Sequence, residues 1–100
     1  MPLPGRDAAQ LILKDTLLSL AESFPGLREL ALSPGLATVA ARAAGLDGRR
    51  VRKLVFEALS LRRETVLDPT ELTMHDLAAA ADAAVEQDLA AQKENARAAV

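Results

Sequence analysis

The sequence predicts an all-α fold, a small bundle of about four helices with one short extended segment before the last of them. Three observations carry that expectation. Large apolar residues recur at intervals of three and four, the spacing that lines one side of an α-helix. Alanine and leucine dominate, and only Phe24 and Phe56 are aromatic. Helix-breaking and helix-starting residues punctuate the chain at Pro25-Gly26, Ser33-Pro34, Gly45, Asp47 and Thr73, leaving short links. With 100 residues there is room for one domain, burying only about 60–65% of the extended-chain surface, so the core must be small.

The opening Pro2-Leu3-Pro4-Gly5 belongs in neither a helix interior nor a central strand, so residues 1–6 read as an extended linker. A first helix is expected over Asp7–Ser23. Its apolar stripe is Leu13, Leu17, Leu20 and Phe24, flanked by Leu11, Leu18 and Ala21. Leu27 to Leu32 reads as a turn or a brief irregular helix. Ser33-Pro34 supplies a cap and a proline at the first helical position of a second, alanine-rich helix that Gly45 closes. Asp47 is placed to cap a third helix over Gly48–Arg63, with Val51, Leu54, Val55, Ala58 and Leu61 as its buried stripe. Thr65-Val66-Leu67 reads as extended, and Asp68-Pro69 turns the chain. Thr73 with Asp76 approximates a capping box for the last helix, whose apolar face is Met74, Leu77, Ala78, Ala81 and Val85. The helical domain is expected over 7–88, with 89–100 a helical extension or frayed tail.

Composition removes several function classes. There is no cysteine, which excludes a disulfide framework and a thiolate metal site and suits the cytoplasm. No apolar run approaches a membrane span, and the N-terminus lacks the pattern of a signal peptide. His75, the only histidine, sits beside Asp76 in a helical first turn and reads as a surface residue; no metal site is expected. Asp68, Glu71 and Asp76 match no calcium-loop spacing. Glu57 and Glu64 lie near basic residues, where surface pairing is the ordinary expectation.

Charge is distributed unevenly. Six basic residues and one acid lie between Arg49 and Arg63, whereas Glu64 to Asp88 holds seven acids and no lysine or arginine. Arg49 and Arg50 fall in the first turn of the third helix, where free amides and the helix dipole already favour an anion. Two cations there oppose local helix stability by a few tenths of a kcal/mol while building a site for phosphate. Composition alone leaves two readings open, a solvated basic face balancing the acidic last helix and an anion site.

The stretch Gly45-Leu46-Asp47-Gly48-Arg49-Arg50-Val51-Arg52-Lys53-Leu54 resembles the sensor-two segment of AAA+ ATPases, especially the pachytene-checkpoint-like branch. Pro2-Leu3-Pro4-Gly5-Arg6 with Ile12-Leu13-Lys14 resembles that family's crossover from the large ATPase domain into the helical lid. Leu72-Thr73-Met74-His75-Asp76-Leu77 resembles the lid's closing stretch. The resemblance covers about residues 2–85. It implies a lid module, with Arg49 as the sensor-two arginine reaching the terminal phosphates of ATP. Arg50, Arg52 and Lys53 would support that site or face an adjacent subunit, and Gly45 and Gly48 would shape the turn.

The same resemblance implies ATP or ADP with magnesium in a longer protein. It also implies contacts with an upstream large domain and with neighbours in a ring, a hexamer in that family. The chain itself lacks a phosphate-binding Gly-x-x-x-x-Gly-Lys-Ser/Thr loop and a strand ending in paired acids. No catalytic residue is therefore expected, nor tight nucleotide binding by this segment alone. Two other classes remain. A stand-alone helical adaptor or oligomerisation module would use the alanine-rich helices for close packing. A DNA-binding domain would use the third helix, but the negative net charge and the lack of interleaved aromatics argue against nucleic acid.

Overall fold

The computed structural model describes residues 5–98. Residues 1–4 of the expected linker and residues 99–100 of the expected tail lie outside that range. All regular structure among the described residues is helical: α1 (Arg6–Ala21), α2 (Leu27–Ala31), α3 (Leu36–Ala43), α4 (Gly48–Leu59), α5 (Arg63–Leu67) and α6 (Met74–Ala98), with a 3₁₀ turn at Pro69–Glu71. The all-α bundle is thus as the sequence predicts, with four longer helices and two short ones.

Helix α1 packs against α2, α3 and α4, while α6 packs against α3 and α4 from the other side. Leu13 and Leu17 of α1, Leu36 and Val39 of α3, Val51, Leu54 and Val55 of α4, and Leu77 of α6 are fully buried in one cluster. Fully burying each such side chain is worth about 1.5–3 kcal/mol. Buried alanines at 40, 43, 58, 80 and 81 keep the helices close where they meet. Residues Leu20 and Phe24, expected in the α1 stripe, are only half-buried, and Leu11 is exposed.

Three local features depart from expectation, each with a physical cause. Helix α3 starts at Leu36 rather than at Pro34. The Ser33 hydroxyl accepts from the Gly35 amide at 3.3 Å and the Ser33 carbonyl accepts from the Leu36 amide at 3.1 Å, so a tight turn comes first. Helix α4 ends at Leu59 rather than Arg63, because Ser60 closes it and donates its hydroxyl back to the Phe56 carbonyl at 3.1 Å. Leu61 consequently leaves the helix and is exposed rather than buried.

Thr65-Val66-Leu67 is helical, not extended. Thr65 is fully buried, and its hydroxyl lies 2.7 Å from the Leu59 carbonyl oxygen and 2.9 Å from that of Arg62. Its one hydroxyl proton is donated within reach of both oxygens, tying the first turn of α5 to the Leu59 carbonyl at the end of α4. Beyond Asp88 the described residues follow the helical-extension alternative: α6 continues without a break to Ala98.

Candidate functional site at the start of α4

The loop before α4 sets the site. Gly45 has φ 99°, a left-handed conformation that ends α3 and turns the chain. Leu46 then plugs into the core and Asp47 caps α4, its Oδ1 accepting from the Arg50 amide at 2.9 Å. Gly48, the first residue of α4, is helical, and a Cβ there would meet only Ile12 Cδ1 at 3.4 Å. The turn therefore depends on Gly45 more than on Gly48.

The buried positions Val51, Leu54, Val55 and Ala58 fix the roll of α4 about its axis. At roughly 100° per residue, Arg49, Lys53 and Phe56 then share the face opposite the core. Arg49 and Lys53 are exposed, and Phe56 is 48% exposed. The side chain of Arg50 goes elsewhere. Its Nη1 donates to Asp88 Oδ1 of α6 at 2.6 Å, a charge-assisted bond on the α6 side of the helix.

Arg52 leans toward α1, where it and Phe56 form one wall of a groove of about 350 Å³ completed by Asp15, Thr16, Ser19 and Leu20. Lys53 borders a smaller hollow of about 110 Å³ with Arg50, Glu57, Ala84 and Gln87. The predicted residues thus sit on one helix but do not converge. Arg49 points outward, Arg50 to α6, Arg52 to α1. Of these four cations only Arg50 makes an ion pair among the described residues.

Arg49 therefore makes no ion pair among the described residues and lies beside a helix N-terminus whose third amide is already taken by the Asp47 carboxylate. Such an arrangement can add one fork of hydrogen bonds to an anion held by other groups. Among the described residues no cluster of three or more His, Asp or Glu side chains could hold a metal.

A second polar cluster escaped the sequence reading in part. Arg62 Nε and Nη2 donate to the two carboxylate oxygens of Asp76 at 2.9 and 2.8 Å, and Nη2 also reaches the Glu71 carbonyl at 3.0 Å. The capping box is present as expected: the Asp76 amide donates to the Thr73 hydroxyl at 3.2 Å, and the Thr73 amide donates to Asp76 Oδ2 at 2.9 Å. Burial pushes the Asp76 carboxyl up, but the Arg62 fork and the Thr73 donors outweigh it and hold the group below the ordinary carboxylate value. The bond to Asp76 holds the Arg62 guanidinium above its ordinary value, against a smaller opposing effect of burial. The cluster is structural, fastening the α4–α5 link to the start of α6.

Helix pairing also explains the uneven charge. Arg42, Arg50 and Arg62 meet Asp82, Asp88 and Asp76, all from α6, so the acidic last helix is balanced by cations from three other parts of the chain. No helix among the described residues is long and apolar enough to cross a membrane.

No protein-family profile matches the chain, and no solved structure matches it. Among curated proteins, CD-NTase-associated protein 6 of Pseudomonas aeruginosa is 40% identical over 80 residues, which make up 80% of this chain and 26% of that protein. The chain is therefore similar to a segment of that protein and spans about a quarter of its length.

Proposed function

We propose that this chain is the nucleotide-sensing lid of an AAA+ ATPase, acting with a large domain supplied from outside these 100 residues. The observation that carries the reading is Arg49, exposed and without an ion pair among the described residues, in the first turn of a helix whose roll the core fixes. Three further features support it: the all-α bundle, the cap at Asp47 and the left-handed Gly45 that turns the chain into α4. The similarity to about a quarter of a longer protein accords with a part of a larger machine.

Under this reading Arg49 would donate its fork to terminal phosphate oxygens of ATP, adding positive charge where negative charge must be stabilised during phosphoryl transfer. ATP supplies the phosphoanhydride bond. The chain has neither a phosphate loop nor a metal cluster among its described residues, so ATP and magnesium would be gripped by the large domain. Closure of the lid would pass to neighbouring subunits of a ring. By its name the similar protein is associated with a CD-NTase, and the proposal extends that association to the assembly this lid would serve.

The test joins the chain to its large domain and measures ATP turnover. Arg49→Ala should lower turnover by roughly tenfold or more, the scale of losing one preorganised charge-stabilising donor. Turnover unchanged within about twofold, less than 0.5 kcal/mol of barrier, would remove the role from Arg49.

A further inference from the structure

Helix α6 is fastened by three carboxylates spaced six residues apart, Asp76, Asp82 and Asp88, each bonded to an arginine from another part of the chain. They are not equally secure. Asp76 is buried, accepts two bonds from one guanidinium and also closes the cap at Thr73. Asp88 accepts from Arg50 Nη1, and the two side chains are 29 and 42% exposed. Val85 is the last α6 residue packed against the core among the described residues, so the turn carrying Asp88 lies beyond the apolar contacts. A partly exposed pair in that position adds little to the stability of the fold.

The other end of this bond is the first turn of α4, where Arg49 and Arg50 are the second and third residues. Cα–Cβ bonds in a helix tilt toward its N-terminus, so both side chains set out toward the same amide end. Arg49 stays exposed there and makes no ion pair among the described residues, whereas Arg50 is turned aside to α6. Two adjacent cations oppose each other and the positive end of the helix dipole. Asp88 relieves part of that conflict from within the chain, as an external anion would.

We propose that Asp88 is an autoinhibitory carboxylate: it withholds Arg50 from the phosphate-facing end of α4, and movement of the Asp88 turn away from α4 releases the second arginine to join Arg49. The inference rests on the role proposed above for that end of α4 and names how it is regulated. With Asp88 in place, one guanidinium fork is offered to an anion; with Asp88 displaced, two are. The position of α6 thereby sets the charge offered to terminal phosphates, without Arg50 contributing while the bond is closed.

Titration of the chain with inorganic tripolyphosphate at constant ionic strength, followed by the backbone amide resonances of residues 48–51, tests this. Asp88→Asn should tighten binding about threefold or more, the scale of one partly exposed charge contact. Arg50→Ala alone should change binding by less than about 1.5-fold, because that side chain is already engaged. In the Arg50→Ala background, Asp88→Asn should lose most of its effect. The amide spectra report folding in the same samples, and Asp88→Ser replaces Asp88→Asn if that variant unfolds. No tightening in Asp88→Asn overturns the inference. So does equal tightening with and without Arg50, which would reflect only the loss of a nearby negative charge. Arg49→Ala separates this inference from the reading it rests on. Weaker binding in Arg49→Ala with no effect of Asp88→Asn overturns the autoinhibition alone, whereas Arg49→Ala binding like the wild type, or no binding by any variant, overturns both.

Discussion

Asp76 concentrates more hydrogen bonds than any other side chain among the described residues, and it is buried. Its partner Arg62 is 40% exposed and can rehydrate if the pair is broken, so the cost falls short of the 3–5 kcal/mol of a fully buried pair. Asp76→Ala should destabilise the fold by about 1–3 kcal/mol in urea unfolding. The pair also sets a pH dependence. The folded carboxyl titrates below its unfolded value, so its contribution is complete above the ordinary carboxylate range and disappears as pH falls through the folded value. Stability measured from neutrality into that acidic window should therefore fall, and Asp76→Asn should flatten the fall. An equally steep fall in the variant would assign acid sensitivity to other carboxylates.

Helix α4 is where local sequence and tertiary packing both leave their mark. Asp47 and the pair Thr73–Asp76 were legible because each bond spans three residues and needs only one turn of helix. Arg50 and Arg62 were legible as cations but not as ion pairs, since their partners lie 38 and 14 residues away and only the packing of α6 brings them near. Thr65 misled for a related reason: a β-branched residue suggests extension, and only its buried hydroxyl bonds to α4 make a helical turn the better choice. The core face of α4 predicts its own consequences. Leu54→Ala should cost about 2–5 kcal/mol because the site is fully closed. Gly45→Ala meets no atom within 4 Å, so its cost is conformational alone, about 1–2 kcal/mol by urea unfolding. A cost near zero would mean that this turn rearranges without glycine.

At the scale of the whole molecule, the acidic and basic halves of the sequence fold onto each other without using every cation. Three arginines are bound to α6, and Arg49, Arg52 and Lys53 are left on the outer side of α4. That division turns one basic run into a structural fastener and an outward surface. It also separates two adjacent arginines that share the first turn. The role proposed for Arg49 is tested most directly by comparing ATP turnover of Arg49→Ala and Arg50→Ala when the chain is joined to the large ATPase domain that the proposal requires. A loss of roughly tenfold or more is expected for Arg49→Ala and a distinctly smaller loss for Arg50→Ala, whose side chain is engaged by Asp88. Equal losses, or a loss confined to Arg50→Ala, would contradict it.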